Sequence, residues 1–461
     1  MRGAGQILLV ATYELGRQPP GITWPKAFLE RAGFRPAALD LQVEQLDEAR
    51  IRAARLIALS VPMHTALRLG LRAAQRIRSL QPDALLCFHG LYAPLHAPLL
   101  RRAGAAAVLG AECEEELVAL AGALERGEPI PSATPPPRLP LAKPARLKRL
   151  DYPVPSRSGL PAPERYARLA EGGRERVAGH AEATRGCKHR CLHCPVPALY
   201  QGRFFAVPEE TVLADVAQQV ERGVTHVTFG DPDFLNGPAH ALRVARALHR
   251  RFPDLTFDFT AKVEHLVEEA ALLPELRACG ALFAVSAVES LSDEVLARLH
   301  KGHTRAGVLA AFEACRAAGI SLRPSLLPFT PWSTLAGYLA LLDTFEAQGW
   351  VEALDPVQLS IRLLVPPGSL LLEAEPGLFG PLDEGSLSHR WTHPDPRMDR
   401  LQREVAALAE AGASRGEPAA RTFEAVHQLA RGIAGLPHRH PTAHHPVGGV
   451  AGPRLTESWF C

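Results

Sequence analysis

Three of the eight cysteines in this chain lie on one short segment with the spacing Cys-x3-Cys-x2-Cys, at Cys187, Cys191 and Cys194. Thiolates are the soft ligands that iron–sulfur clusters require, and a cluster normally takes four of them. Three thiolates on one loop leave one iron of a cubane without a protein ligand. Such an iron can bind a substrate, as open metal sites do in other proteins. The spacing therefore predicts a cluster with one open iron.

A structural zinc site is the alternative interpretation of this segment, with His189 or His193 as the fourth ligand. Paired zinc-binding hooks are usually separated by about a dozen residues or more. No second hook of cysteines or histidines follows Cys194 at such a distance. The spacing favours iron–sulfur chemistry over zinc.

Residues 183–195 resemble the cysteine motif of the radical SAM superfamily, including the lead-in Thr184-Arg185-Gly186. In that superfamily the amino and carboxylate groups of S-adenosylmethionine (SAM) chelate the open iron. The penultimate motif position, filled here by His193, lies against the adenine. The resemblance implies a [4Fe–4S] cluster on the three cysteines, SAM as a second cofactor, and an electron donor such as flavodoxin or ferredoxin. It also implies cleavage of SAM to a 5′-deoxyadenosyl radical, which abstracts hydrogen from a substrate.

The composition is that of a globular protein of 461 residues, 47% of them hydrophobic and 22% charged. At roughly 100–200 residues per domain, this length predicts two or three domains. The formal net charge of +2 is too small to indicate a nucleic-acid partner. No apolar run reaches the ~18 residues that span a bilayer, and the N-terminus lacks a signal-peptide pattern. Because the other cysteines are scattered singly, we expect a cytoplasmic protein without a membrane partner.

Short apolar runs alternate with helical stretches through residues 1–127. This alternation predicts a doubly wound, Rossmann-like parallel sheet of about five strands. Ligands on such sheets bind at the carboxyl ends of the strands, here near residues 13–14, 62–64 and 89–92. The predicted strands lie at 6–13, 37–41, 56–61, 84–88 and 105–109, with a helix at 65–80.

A doubly wound domain ahead of this cysteine motif resembles the cobalamin-binding domain of a large radical SAM subclass. The Asp-x-His-x-x-Gly loop through which some such domains coordinate cobalt is absent from residues 1–127, and many members of the subclass bind cobalamin without it. Two alternatives stay open, bound cobalamin and a Rossmann-like domain without the cofactor. Bound cobalamin implies methyl transfer to an unactivated carbon, whereas its absence leaves rearrangement, oxidation and thioether formation open.

Residues 128–178 are predicted to form a proline-rich linker, because the stretch 129–163 is dense in proline. Proline fixes φ and removes a backbone donor. We expect an extended segment rather than a packed element, which would let the first domain lie over the mouth of the second.

Strands and helices alternate again over residues 179–370. Six strand–helix units fit the partial (β/α)6 barrel that the resemblance implies. Because barrel active sites collect at the carboxyl ends of the strands, the cysteine loop, which follows the first strand, should lie at the mouth. The predicted strands are 180–184, 225–229, 256–260, 281–288, 321–327 and 357–364, and the predicted helices include 208–222, 239–251, 305–318 and 334–348.

Further candidate site residues follow the predicted strands. The resemblance places the amino group of SAM near Gly230 and Asp231, with an ordinary strand-ending turn as the alternative. Lys262 could pair with the carboxylate of SAM, the alternative being a solvated lysine. Glu289 and Ser290 are the candidates for the ribose and amino-acid contacts.

Arg362, in the predicted sixth strand, would bind a carboxylate if it points inward, and a salt bridge within the barrel is the alternative. Residues 371–435 are predicted to be helical, with helices at 399–413 and 422–432. Residues 436–461 are predicted to be a flexible tail that bears four histidines, His438, His440, His444 and His445.

The chain ends with Trp459-Phe460-Cys461. This end resembles a truncated member of a radical SAM family whose tail reads Cys-Sec-Ala-Glu-Pro or Cys-Cys-Ala-Glu-Pro. The hypothesis is that a selenocysteine codon after Cys461 was read as a stop, and an ordinary unpaired terminal cysteine is the alternative.

The sequence as a whole predicts a radical SAM enzyme that acts on a small-molecule or peptide substrate and has no nucleic-acid partner. The alternative function is a non-catalytic zinc- or nucleotide-binding protein.

Overall fold

The computed structural model of the chain describes residues 1–129, 147, 149–438 and 452–457. Its strands are β1 (Ile7–Ala11), β2 (Ala37–Asp40), β3 (Leu56–Ser60), β4 (Leu85–His89), β5 (Ala107–Val108), β6 (Arg168–Glu171), β7 (Arg174–Ala181), β8 (Thr184–Gly186), β9 (Phe204–Ala206), β10 (His226–Phe229), β11 (Thr256–Thr260), β12 (Ala281–Glu289), β13 (Ser321–Leu326), β14 (Leu382–Asp383), β15 (Ser388–His389) and β16 (Arg454–Leu455). Its α-helices are α1 (Pro20–Arg31), α2 (Glu48–Ala53), α3 (His64–Leu80), α4 (Tyr92–Leu95), α5 (Ala97–Arg102), α6 (Glu114–Arg126), α7 (Val196–Tyr200), α8 (Glu209–Val220), α9 (Pro238–Arg251), α10 (Val263–Glu268), α11 (Leu273–Ala278), α12 (Asp293–Arg298), α13 (Arg305–Ala317), α14 (Leu335–Ala347), α15 (Leu371–Ala374), α16 (Pro396–Ser414) and α17 (Ala419–Ile433).

The N-terminal sheet has the order β2-β1-β3-β4-β5, and all its strand pairs are parallel. This is the flavodoxin-like order of a doubly wound fold, so the predicted fold class is confirmed. Strand β1 is buried throughout because helices cover both faces of the sheet. Leu8 and Val10 pack towards α3, whereas Ile7 and Leu9 pack towards α1 and α6.

The second sheet has the order β13-β12-β11-β10-β7-β6-β16. The five strands from β13 to β7 are parallel, and β6 and β16 extend the sheet in antiparallel fashion. One face, including Phe229 and Phe257, packs against the helices as the main hydrophobic core. The opposite face of these strands carries a polar network, in which Asp258 Oδ1 lies 2.8 Å from His226 Nε2 and accepts from the Thr228 hydroxyl at 2.7 Å.

The predicted sixth strand, residues 357–364, is not a continuous strand. A 3₁₀ helix, Pro356–Ser360, occupies its first half, and a single parallel bridge joins Phe329 to Arg362. The local sequence explains the difference, because Asp355 caps the Val357 N–H at 3.2 Å and Pro356 suits the first helical position. Likewise, the predicted first strand, 180–184, is divided between the end of β7 and the separate β8–β9 pair.

The segment predicted to be an unpacked linker, 128–178, is in part packed against the rest of the protein where the structure describes it beyond residue 149. Strand β6 and the first half of β7 lie within it. Arg157 is almost fully buried and forms a bidentate ion pair with Asp215, at 2.7 and 2.8 Å. Arg157 also donates to Gln18 Oε1 at 2.9 Å, so the segment connects the two sheets. Proline density alone does not reveal this buried arginine.

Helices α16 and α17 confirm the two helices predicted after the barrel. Two residues of the predicted flexible tail, Arg454 and Leu455, form strand β16 against β6. Cys461 and the histidines at 440, 444 and 445 lie outside the described residues. Within the described ranges, no helix combines the length and apolar character that crossing a bilayer requires.

Replacing Arg157 with alanine should lower the free energy of unfolding by about 3–5 kcal/mol, because Asp215 would keep a buried charge without its partner. The urea midpoint measured by circular dichroism would show the loss. Arg246→Ala, which removes a bidentate but largely exposed pair with Glu275, is the control and should change the midpoint little. Equal midpoints for the two variants would contradict the structural role of Arg157.

Candidate functional site

The loop that carries the three cysteines begins after β8 and is held by residues that follow β10. Asp231 accepts hydrogen bonds from the Ala183 N–H at 3.0 Å and the Thr184 hydroxyl at 2.5 Å. Asn236 Oδ1 accepts from the Lys188 N–H at 3.2 Å. Because β7 and β10 are parallel neighbours, these contacts place the cysteine loop at the carboxyl end of the sheet.

The three thiols are suited to binding a cation. Cys191 is buried, and Cys187 and Cys194 are half-buried. Burial raises the pKa of the Cys187 thiol to about 11 and that of Cys194 to about 12, so both thiols are protonated at neutral pH. Bound iron reverses this preference, because a coordinating thiol is deprotonated outright. Three thiols on one loop fit a [4Fe–4S] cluster.

The sulfurs are not gathered around a single ion. Sulfur ligands at about 2.3 Å from one zinc ion lie within about 4 Å of one another. In the described part of the chain, the one group of three or more candidate ligand atoms that all lie within 4.8 Å of one another belongs to His189, Asp233 and His265. No cysteine is part of that group. This geometry disfavours the zinc alternative in which the cysteines are ligands.

Glu289, the last residue of β12, is the centre of a buried ion pair. Its Oε1 accepts from Lys301 Nζ at 3.2 Å and lies 3.1 Å from His193 Nε2. Burial alone would raise the pKa of Glu289, but Lys301 and His193 outweigh it and hold that pKa at about 2. No described residue donates to Oε2. One oxygen of a permanently ionised carboxylate is therefore left to accept from a ligand.

The backbone at Glu289 is strained. The pairing of β12 with β13 shifts register between Ala287 and Glu289, and Glu289 has a φ of 62°. A left-handed conformation costs a non-glycine residue about 1–2 kcal/mol. Bulges re-aim side chains, and strained residues of this kind cluster at functional sites. The bulge is the local reason that Glu289 contacts His193 of the cysteine loop.

Two more predicted site residues also adjoin the loop or its neighbours. Lys262 Nζ lies 3.1 Å from His189 Nδ1 and 2.9 Å from Glu264 Oε2, so Lys262 is not a solvated lysine. Gly230 lies so close to His180 that a Cβ at position 230 would overlap His180 Nε2. A contact of Gly230 or Lys262 with SAM stays a prediction.

Three other predicted residues have their polar groups engaged within the protein. Both oxygens of Asp231 hold the start of the cysteine loop. The Ser290 hydroxyl accepts from the Ser292 N–H at 3.0 Å. Arg362 pairs with Asp399 at 2.6 Å and stacks on Trp391 at 3.5 Å from the ring centroid. The salt-bridge alternative thus describes Arg362, although its partner lies on α16.

The N-terminal half of the chain contacts the lead-in of the cysteine motif directly. Arg185 Nε lies 3.2 Å from Glu112 Oε1, and Arg185 Nη1 lies 2.7 Å from Glu114 Oε1. The hydroxyls of Tyr152 and Tyr200 both donate to Glu112 at 2.7 Å. Glu112 has a left-handed φ of 53°, a second strained glutamate at a junction. This buried network fixes the N-terminal sheet against the cysteine loop.

The carboxyl edge of the N-terminal sheet carries buried polar groups. Glu14 accepts from the Ser60 hydroxyl at 2.7 Å and from the Gly21 N–H at 3.1 Å. His89 ends β4, and both His89 and His96 have a buried Nε2 without a hydrogen-bond partner among the described residues. Burial lowers the pKa of each imidazole to about 4, so both are neutral at pH 7. Unsatisfied buried nitrogens at this edge fit the presence of a ligand.

A cavity of about 920 Å³ lies at the side of the barrel, large enough to hold a small ligand. Phe283, Val285 and Arg323 line it from β12 and β13. Burial and the nearby Arg454 lower the pKa of Arg323 to about 10. The described residues offer Arg323 no ion pair within 4 Å, so its guanidinium suits an anionic group.

The Radical SAM superfamily profile matches residues 181–341, which include the cysteine loop, Glu289 and Lys301. Residues 181–341 form a radical SAM domain. Such domains use a [4Fe–4S] cluster and SAM, the two cofactors predicted from the motif. The radical SAM domain marks the chain as an enzyme, as predicted.

Two curated relatives share part of this chain. It is 28% identical over 191 residues to a tRNA-2-methylthio-N(6)-dimethylallyladenosine synthase of Geobacter sulfurreducens, covering 38% of this chain and 41% of the relative. It is 29% identical over 213 residues to the protein of the same name from Alkalilimnicola ehrlichii, covering 42% and 46%. The matched part of the chain spans less than half the length of these relatives.

Two solved structures share the fold over most of the chain. The radical S-adenosylmethionine methyltransferase TsrM from Kitasatospora setae, solved with cobalamin and a [4Fe–4S] cluster, has a TM-score of 0.65 and 16% identity, covering 93% of this chain and 99% of TsrM. The cobalamin-dependent S-adenosylmethionine radical enzyme OxsB, solved with aqua-cobalamin and S-adenosylmethionine, has the same TM-score and identity, covering 88% and 66%. The predicted combination of a Rossmann-like sheet with a partial radical SAM barrel is confirmed.

Sequence reasoning missed several residues of this site. Asp233 follows β10 and His265 follows β11, and these strands are parallel neighbours. Their position after neighbouring strands could have predicted that the two side chains lie at the same edge of the sheet. Lys301 was not among the predicted site residues, although its ammonium group pairs with Glu289. Glu112 carried no signal, because its partner Arg185 lies 73 residues away and in the other sheet's domain.

Glu14→Gln should remove a pH-dependent part of the stability. The pKa of Glu14 in the folded chain, about 7, exceeds its ordinary value of 4.5 because of burial, so the folded chain holds this proton more tightly than the unfolded chain does. That stabilisation is complete below about pH 4.5 and is lost as the pH rises through about 7. The urea midpoint of the wild type should therefore fall, relative to Glu14→Gln, between about pH 5 and pH 8.

Glu115→Gln, which alters an exposed residue in the first turn of α6, is the control for this measurement. Its midpoint should run parallel to that of the wild type. A difference between wild type and Glu14→Gln that stays constant with pH would contradict the raised pKa.

Proposed function

We propose that this chain is a cobalamin-dependent radical SAM enzyme that transfers a methyl group to a small-molecule or peptide substrate. Cys187, Cys191 and Cys194 are the proposed ligands of the [4Fe–4S] cluster. The observation that carries the proposal is the position of these three thiols, on one loop at the carboxyl end of the barrel sheet and beside the ionised Glu289.

When bound, the cluster and SAM supply a 5′-deoxyadenosyl radical after one electron arrives from a flavodoxin- or ferredoxin-type donor. The residues of the chain supply position and shielding. Glu289 is the proposed acceptor for ribose hydroxyls, because its Oε2 is open and its charge is fixed by Lys301. His193 is the proposed contact of the adenine, and its Nε2 contact with Glu289 orients the ring. Gly230 and Lys262 are the proposed neighbours of the methionine part.

Cobalamin is proposed to bind at the carboxyl edge of the N-terminal sheet. The orphaned Nε2 atoms of His89 and His96 support a ligand there, and strand ends near a switch in strand order are where doubly wound folds bind ligands. Both solved structures named above hold cobalamin on the same fold. The Arg185–Glu112 network keeps this edge attached to the cysteine loop, which favours transfer between the two cofactors.

The cavity of about 920 Å³ supports a small molecule or a short peptide segment as the substrate. The unpaired guanidinium of Arg323 in its wall favours a substrate with an anionic group. The curated relatives are named for a reaction on tRNA, but the match covers less than half of their length. The absence of a nucleic-acid partner and a cytoplasmic location stay predictions.

The test is formation of 5′-deoxyadenosine by anaerobically reconstituted protein with SAM and dithionite. Cys191→Ala should abolish product formation and lower the iron content, because the cluster loses a ligand. Cys279→Ala is the matched control, since Cys279 is buried to a similar extent, 6% exposed against 7% for Cys191, and lies outside the loop. Full activity in Cys191→Ala would overturn the assignment.

Cobalamin binding is measured on the same preparations by absorbance after gel filtration with hydroxocobalamin. The proposal expects a cobalamin spectrum that migrates with the wild type and with Cys191→Ala alike. Deoxyadenosine formation without retained cobalamin would keep the radical SAM assignment and overturn the proposed methyl transfer.

Glu289→Gln should weaken SAM binding roughly 10- to 100-fold, because a charged hydrogen bond is worth about 1.5–3 kcal/mol. The KM for SAM in deoxyadenosine formation reports this loss, and the iron content should be unchanged. Ser290→Ala, at the neighbouring position, should change the KM much less, since its hydroxyl is engaged by the Ser292 N–H. A larger effect for Ser290→Ala than for Glu289→Gln would contradict the assignment.

A further inference from the structure

Three side chains next to the cysteine loop converge on one point. Asp233 Oδ2 lies 2.7 Å from His265 Nδ1 and 3.5 Å from His189 Nε2. All three atoms lie within 4.8 Å of one another. They come from three segments, the cysteine loop, the turn after β10 and helix α10. None of the three residues has a role in the proposed SAM chemistry.

The converging atoms are buried and lack hydrogen bonds. Asp233 is 0% exposed and His265 is 1% exposed. Among the described residues, none forms a hydrogen bond with Asp233 Oδ2, His189 Nε2 or either ring nitrogen of His265. Asp233 Oδ2 and His265 Nδ1 form a short ion-pair contact. Buried polar atoms without partners are costly, and one cation bound between the three side chains would satisfy all of them at once.

The separations fit ligands that share an ion. Imidazole nitrogens and carboxylate oxygens bind zinc at about 2.0–2.2 Å, which puts neighbouring ligand atoms about 3.0–3.5 Å apart. The 3.5 Å between Asp233 Oδ2 and His189 Nε2 lies within this range, and the 2.7 Å between Asp233 Oδ2 and His265 Nδ1 is shorter than it. Two imidazoles and one carboxylate suit zinc and iron(II) among divalent ions, and are a poor set for magnesium or calcium.

We propose that His189, Asp233 and His265 bind a divalent transition ion of the zinc or iron(II) class, separate from the cluster on the cysteines. The ion joins the cysteine loop to the turn after β10 and to α10. Because His189 stands between Cys187 and Cys191, the ion braces the loop on which those cysteines lie. The proposal goes beyond the proposed methyl transfer and does not depend on it.

Two charged side chains, Glu264 and Lys262, lie beside His189. A histidine that binds metal through one nitrogen usually donates its other N–H to a carboxylate. Glu264 Oε2 lies 3.7 Å from His189 Nδ1, which is close but beyond hydrogen-bond distance. Lys262, which contacts His189 Nδ1 at 3.1 Å, also contacts Glu264 at 2.9 Å. An imidazole that binds metal through Nε2 carries its proton on Nδ1, so with a metal bound Lys262 would keep only its contact with Glu264.

The experiment loads the full-length, cluster-containing protein anaerobically with zinc sulfate and measures zinc and iron per chain after gel filtration. Asp233→Asn keeps the Oδ1 atom that accepts from the Leu235 N–H, so the local turn is preserved. We expect wild type and the control His249→Ala to retain about one zinc ion more per chain than Asp233→Asn and His265→Ala, the number that one three-ligand site binds. The histidines near the C-terminus are present in every variant, so the difference reports this site.

A second measurement applies if a variant loses iron as well as zinc, and it uses a chain that lacks the three cysteines. In the Cys187→Ala/Cys191→Ala/Cys194→Ala chain, added Co²⁺ should give d–d absorption bands without a thiolate charge-transfer band. Adding Asp233→Asn to that chain should remove the bands. Equal zinc in the wild type, Asp233→Asn and His265→Ala, or Co²⁺ bands that survive Asp233→Asn, would overturn the proposal. Neither readout uses deoxyadenosine formation, so this proposal and the proposed function fail independently.

Discussion

One buried guanidinium, that of Arg185, joins the two halves of the molecule. It contacts Glu112 and Glu114 from the N-terminal half, and it lies over the rings of Trp24 and Tyr152. Removing one partner of a buried ion pair leaves an uncompensated charge, so these groups are satisfied only while the two halves are in contact. Arg185 lies two residues before the first cysteine. The position of the cysteine loop therefore depends on the contact between the halves.

The fold was largely predictable because apolar runs in parallel sheets are buried on both faces and stand out in the sequence. The five N-terminal strands and the barrel strands β10 to β13 follow such runs. The sixth predicted strand failed because Asp355 and Pro356 begin a helical turn ahead of an apolar run. The packed segment around Arg157 was missed because its partner Asp215 is 58 residues away, and composition carries no information about such pairs.

The candidate site divides in the same way. The three cysteines belong to a motif with fixed local spacing, and Glu289 was indicated by its place at the end of a predicted strand. The roles of Lys301 and His265 depend on which strand ends meet in space. Asp231 and Asp233 are close in sequence, but the fold places Thr184 beside Asp231 and His265 beside Asp233. Backbone strain also cannot be predicted from the sequence. Glu112 and Glu289 both have a left-handed backbone conformation, and both lie where the cysteine loop is anchored.

Strand β16 has a consequence for how the chain is made. Its two residues cover the outer side of β6, and the Thr456 N–H donates to the Arg168 carbonyl at 2.8 Å across 288 residues of chain. An unpaired strand edge is a template for pairing with other chains. Since domains fold as the chain emerges, β6 stays open at this edge until residues 454–455 have left the ribosome. The barrel sheet is thus exposed to intermolecular pairing for nearly the whole of its synthesis.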